Sequence, residues 1–220
     1  MDQAHRTTAE LEAALDHIRA APADRGRVDL VVRRPAPGER EVLDVGELHP
    51  EHGLVGDGWA DRGSRRTDDG SAHPDMQLNV INARLSRSVA VDAGRRALAG
   101  DQLHLDLDLS AANLPPGTRL ALGGAVIEVT AIPHTGCAKF VQRFGAEAMR
   151  FVNSPLGRDL RLRGLNAKVV HAGTVRPGDE VRKVPADFVP GADEFAPGVG
   201  SEGHHTASRE PLKEQSHAEA

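Results

Sequence analysis

The strongest periodicity in the chain lies in DQLHLDLDLS. There Leu103, Leu105, Leu107 and Leu109 alternate with His104, Asp106 and Asp108. A period of two predicts a strand with one buried and one wet face. The runs TRLALGG and AVIEVTAIP repeat the β signature on either side of Gly123-Gly124, which reads as a hairpin. RVDLVVRR and EVLDVGEL, separated by the Pro/Gly-containing PAPGER, predict a second hairpin, and MQLNVIN predicts a further strand. LNAKVVHAGTVRPGDEVRKV closes the pattern as two strands around RPGD.

Helical periodicity is confined to shorter stretches. In TTAELEAALDHIRAAP, Thr7 and Glu10 have capping-box spacing, Leu11, Leu15 and Ile18 share a face, and Pro22 follows the end. ARLSRSVAVDAGRRALA reads as an interrupted helix, and AKFVQRFGAEAMRFVNSP as a helix broken at its glycine. Residues 49–75 are polar and glycine-rich, a loop length that goes with function or disorder. From Asp187 onward core-forming residues almost vanish, which predicts a disordered tail. The expected organisation is therefore an N-terminal helix and lead-in over 1–27, a β domain over 28–186 and a tail over 187–220. A strand-dominated body with short helices between strands is mainly β, a closed or nearly closed barrel and not a doubly wound sheet.

Composition narrows the class. Aromatics are only 3% of the 220 residues, with no tyrosine and one tryptophan, Trp59, so the core must be packed from Val, Leu, Ile and Ala. A net charge of −5 argues against nucleic acid or an anionic membrane as partner. The N-terminus lacks the apolar region of a signal peptide, and no apolar run approaches the roughly 20 residues of a membrane span. A soluble, cytoplasmic protein is expected.

The only cysteine, Cys137, excludes an internal disulfide and stands in IPHTGCAKF, where a strand gives way to a helix. The first-turn N–H groups of that helix, with His134 and Lys139 near in sequence, favour the thiolate, which attacks electrophiles and binds soft metals. The competing reading is a small apolar filler, the usual role of a free cysteine. Between Lys139 and Lys168 seven cations face only Glu147 and Asp159, which makes Arg158, Arg161 and Arg163 candidates for an anion such as phosphate. Alone, that run is equally a solvated face. His49, His52, Asp57 and His73 carry zinc-type donors, but loop polarity is the default for them. GxxxxGK[ST], GxSxG, HExxH and CxxC are all absent.

Taken in order, HGLVGDGWAD, the span LAGDQLHLDLDLSAANLPPGTRLALGGAVIEVTAI, GCAKF and LRGLNAKVVHAGTVRPGDEV resemble the MOSC domain, the module named for the C-terminal part of molybdenum cofactor sulfurases. The resemblance covers roughly residues 28–184. It implies a β-barrel related to the small barrel domain of pyruvate kinase. It also implies that Cys137 is a sulfur carrier or the thiolate ligand of molybdenum in a bound pterin, the molybdenum cofactor (molybdopterin). Some stand-alone relatives use that cofactor to reduce N-hydroxylated bases and amines. In fused sulfurases the partner domain is a pyridoxal-phosphate cysteine desulfurase; no pyridoxal phosphate is expected in this chain itself. The resemblance departs in two places. Gly136 stands where the family often has proline, and RGSRRTDDGSAHPD replaces the histidine- and glycine-rich segment of many stand-alone relatives.

On this reading Cys137 is the metal ligand or persulfide carrier and Lys139 tunes its thiolate. Arg158, Arg161 and Arg163 take the cofactor phosphate, and Asp57 and His73 line the entrance. The implied partners are a small-molecule substrate and either an electron-donor protein or a cysteine desulfurase. Three functions follow: a molybdenum-dependent reductase of N-hydroxylated compounds, a persulfide carrier for sulfur delivery, or a non-catalytic binding barrel.

Overall fold

The structure is a computed structural model that describes residues 5–191. Eleven strands and five helices follow one another: α1 Thr8–Ala13, α2 Leu15–Arg19, β1 Arg25–Arg33, β2 Glu41–Leu43, β3 Gly46–His49, β4 Gly53–Leu54, β5 Leu78–Asn82, α3 Ala83–Val89, β6 Leu103–Asp106, β7 Arg119–Leu122, β8 Ala125–Pro133, α4 Ala138–Asn153, α5 Pro155–Asp159, β9 Leu165–His171, β10 Gly173–Val175 and β11 Glu180–Val184. The large sheet runs β11-β7-β8-β9-β5-β6-β1-β2, and β11 also pairs with β1. That extra pairing, Arg25 opposite Arg182 and Arg27 opposite Glu180, closes seven strands into a barrel and leaves β2 outside as a hairpin arm. Among the described residues only β5 and β6 pair in parallel, joined by α3 and a 3₁₀ turn over Ala93–Ala99. The expected mainly β closed barrel is the fold.

The interior is aliphatic. Leu103, Leu105, Leu107 and Leu109 are buried with Val28, Val31, Leu120, Ile127 and Val181 in one cluster. A second cluster lies outside the barrel wall, where Ile81 and Leu85 pack against Phe140, Phe144 and Val152 of α4 and against Leu11 of α1. The capping box forms as expected, with Thr7 accepting from the Glu10 N–H and the Glu10 carboxylate accepting at Thr7. The hairpin turn at Gly123 has φ +55, and a Cβ there would stand 2.4 Å from the Thr174 carbonyl, so only glycine fits.

Several expectations change in detail. The leucine-alternating strand ends at Asp106, although Leu107 and Leu109 stay buried beyond it. Its other face is not wet at His104. That ring is fully buried against Ser86 of α3, with Nδ1 and the Ser86 hydroxyl 2.9 Å apart, because α3 and the following 3₁₀ turn cover the strand. The closing segment makes three strands, since β10 leaves β9 to join β3 and β4 in a small second sheet. Phe188, two residues into the expected tail, packs on Val184 and lies beneath the Arg182 guanidinium at 4.7 Å. Tail residues 192–220 lie outside the described residues.

Burial, reinforced by Arg96 and Arg163, pushes the His104 imidazole from 6.5 down to about 3. The ring is therefore neutral in the fold, while the unfolded chain takes up its proton as the pH falls through 6.5. Stability is present above that pH and is lost below it. We expect urea unfolding to show a loss of about 2 kcal/mol attributable to His104 between pH 7 and pH 5. His104→Asn should flatten the pH dependence by that amount, whatever its effect at pH 7.

A surface thiol between two cationic cavities

Two buried ion pairs organise the barrel rim. Arg34, just past β1, donates to both Asp57 oxygens at 2.8 Å, to Asn79 Oδ1 at 2.8 Å and to the Gly100 carbonyl at 2.9 Å. Asp57 also accepts from the Arg34 main-chain N–H at 2.9 Å and from Arg62 at 3.0 Å. The glycine-rich loop is thereby fastened to the end of β1. Asp57 does not line an entrance as expected: its side chain has no exposed surface and serves as the anchor behind the loop.

The second pair joins residues that flank three strands. Arg163, just before β9, contacts both oxygens of Asp101, just before β6, at 2.9 and 2.8 Å, and donates to the Ala99 carbonyl at 3.1 Å. Its guanidinium also lies 5.0 Å from the centre of the Phe140 ring in α4. His134, just after β8, brings Nδ1 to 3.4 Å from Asp101. Burial and the charges of Arg163 and Arg34 hold that imidazole well below its ordinary range, so it is neutral beside the carboxylate. Arg163, expected on a phosphate, thus has most of its donors committed to the protein; its buried Nε alone is without a partner.

Cys137 caps α4 between these features. It is exposed, with extended backbone, and its carbonyl accepts from Phe140 and Val141. Gly136 before it donates its N–H to Asn153 Oδ1 at 3.2 Å, and a Cβ at that position would stand 2.4 Å from Met149 Sδ. Proline would lose the first contact and clash in the second, which accounts for glycine here.

The chain on either side of the thiol lines a different cavity. Upstream, His134 and Thr135 line a cavity of about 210 Å³ together with Asn153, Arg158, Arg161 and Arg163. Downstream, Lys139 lines a cavity of about 380 Å³ together with Arg34, Arg40, Arg62 and Asp61. Cys137 lines neither cavity, but stands two residues, at most about 7 Å of chain, from a lining residue of each. Arg40 is the most exceptional cation here. Its Nε is buried with no partner, and burial with the charges of Arg143, Arg34 and Arg62 pushes it from 12.5 down to about 10. His73 lines a smaller neighbouring space with Trp59 that shares Arg34 and Arg62, and its Nδ1 accepts from the Asp75 N–H at 3.1 Å.

The sequence reading missed Arg34, Arg40 and Arg62. They are dispersed over 29 positions among acidic residues, and no local pattern marks them. Among the described residues, His49, Glu51 and His52 bring metal-ligating atoms within 4.8 Å of one another, whereas Asp57 and His73 stand apart from that group.

A closed β-barrel with an exposed thiol at a strand-to-helix junction defines the class of protein. A sequence profile of the MOSC domain matches residues 71–182, half of the chain, and the protein belongs to that family. The matched span contains Cys137 and the smaller cavity, but not β1 or the arginines at 34, 40 and 62. Among solved structures, the YUAD protein from Bacillus subtilis superposes with a TM-score of 0.53 at 16% identity, covering 71% of this chain and 94% of that one. A structure described as a hypothetical protein gives 0.52 at 20% identity, over 76% of this chain and 71% of that one. YiiM from Escherichia coli gives 0.47 at 21% identity, over 74% and 73%. The first two likenesses establish the fold alone. No curated protein matches the chain. Among the described residues no helix is long and apolar enough to cross a membrane.

Asp57→Asn leaves the buried Arg34 guanidinium without its counter-charge, and we expect it to cost about 3 kcal/mol in a urea titration. Because Arg62 loses the same anchor, proteolysis should first cut within 58–64. Arg33→Gln, which removes only a surface pair with Glu41, should cost under about 1 kcal/mol.

Proposed function

We propose that the protein binds the molybdenum cofactor, with Cys137 as the thiolate ligand of the metal, and reduces N-hydroxylated small molecules. The observation that carries this reading is a cavity lined by Arg34, Arg40, Arg62, Lys139 and a single carboxylate, Asp61, two residues along the chain from an exposed thiol, with the Arg40 Nε buried and unpartnered. Four cations in this lining face one carboxylate, Asp61, and a phosphate monoester supplies the acceptor oxygens and negative charge that balance the excess. The donor set therefore fits the phosphate of a pterin, and a thiolate suits a soft metal. Arg40 and Lys139 would hold the phosphate, while Arg34 and Arg62, tied to Asp57, keep the cavity wall in place.

When bound, the cofactor supplies the redox-active metal. The chain supplies the thiolate and the anion cradle. In the proposed reaction the N–O bond breaks, two electrons and two protons are taken up, and oxygen leaves as water. The electrons come from an external donor protein. The exposure of Cys137 favours one second reading, in which the thiol accepts sulfur from a cysteine desulfurase and carries it as a persulfide to an acceptor.

Protein produced without a histidine tag in a host that makes the cofactor should contain near-stoichiometric molybdenum and release fluorescent pterin on oxidation. Cys137→Ala should lose the molybdenum, and Arg40→Ala should weaken pterin retention about tenfold. Molybdenum and pterin absent from the wild type would overturn the reading. A one-sulfur mass increase on Cys137 after treatment with a cysteine desulfurase and cysteine would then establish the carrier function.

A further inference from the structure

The smaller cavity has a composition that the proposed cofactor site leaves unused. Three arginines, Arg158, Arg161 and Arg163, contribute to its lining, and no acidic side chain does. Asp101 neutralises Arg163, yet the buried Arg163 Nε has no partner. Arg161 is half-buried, and its one side-chain contact is to a neutral group, the Leu114 carbonyl at 2.6 Å. Burial without a nearby carboxylate holds it below its ordinary range. Its backbone is in the left-handed region at φ +46, an unfavourable conformation for arginine outside glycine-like turns. Gly164, with φ +106, packs so closely that a Cβ would stand 2.2 Å from the Val80 carbonyl. The turn carrying Arg161 and Arg163 is thus held between strained and sterically closed positions. Arg158, at the end of α5, is exposed beside it.

We propose that this cavity binds an oxyanion, a carboxylate or a phosphate, carried by the substrate, and that the preferred substrates are anionic small molecules. The inference rests on the cofactor reading for what happens to the substrate, but not for the binding itself. The cavity shares no lining residue with the Arg40 cradle. Thr135 lines it two residues before the thiol, and Asn153, also in its wall, holds the Gly136 N–H. A substrate anchored there by its anion is held two residues along the chain from Cys137. Thr135 and Asn153 add uncharged donors, and neutral His134 adds no opposing charge.

The test uses the full-length chain without cofactor, titrated separately with acetate and with inorganic phosphate and followed by amide NMR. We expect saturable shifts at Thr135, Arg161 and Gly164 with at least one of the two anions. The anion with the lower Kd identifies the class. Arg158→Gln, an exposed change that leaves the buried contacts intact, should weaken that binding about tenfold, and Arg40→Ala should leave it unchanged. Shifts confined to residues around Arg40, or no saturable shift at Arg161 and Gly164, would overturn the proposal. Because cofactor is absent, neither result depends on molybdenum loading. On loaded enzyme, the carboxylate form of an N-hydroxylated substrate should show a lower KM than its methyl ester, and Arg158→Gln should raise the KM of the carboxylate form toward that of the ester. Equal KM values for acid and ester in the wild type would likewise overturn it.

Discussion

A guanidinium taken out of water must have its charge and its N–H groups answered by the protein, because the cost of leaving them unmet is several kcal/mol. Arg34 meets that demand by reaching three separate segments at once: the loop at Asp57, β5 at Asn79 and the turn before β6 at Gly100. Asn79 passes the connection to Asn166 at 2.7 Å, and Asn166 to the Ile132 carbonyl at 3.0 Å. Gln102, in the same network, donates to the Gln77 carbonyl and accepts from the Asn79 N–H. The bonded chain thus runs from Arg34 in the wall of one cavity to Ile132 in the wall of the other.

The same rim separates two kinds of cation. Arg34 and Arg163 are paired with buried carboxylates and hold structure. Arg40, Arg158 and Arg161 are not so paired; they face cavities, and burial leaves Arg40 and Arg161 as held cations without counter-ions. A chain of net charge −5 thus gathers cations in two cavities lined by residues that flank its one thiol in sequence. Local field, not net charge, decides what such a surface attracts.

Much of the barrel was legible because period-two patterns and glycine turns act over a few residues. The inward burial of the leucines at 103–109, the Gly123 hairpin, the Thr7 capping box and the glycine break at 145, where φ is +88, all came through, although the strand itself stops at Asp106. His104 did not, because whether a strand's second face is wet depends on α3, a segment about twenty residues earlier. Asp57 was read as an accessible polar residue since nothing near it in the chain announces Arg34, 23 positions away. Among the three arginines singled out, only the partner at Asp101, 62 positions away, distinguishes Arg163 from Arg158 and Arg161.

Short-range chemistry therefore specified the strands, the turns, the lone thiol at a helix start and the likeness to MOSC domains. The barrel's closure by β1 and β11, the burial of Asp57 and the grouping of Arg34, Arg40 and Arg62 beside Lys139 were decided only on folding. The reason is physical. Periodicity and capping depend on neighbours within about one turn or one hairpin, while charge pairing and cavity formation depend on distances through space between segments that the chain separates by tens of residues.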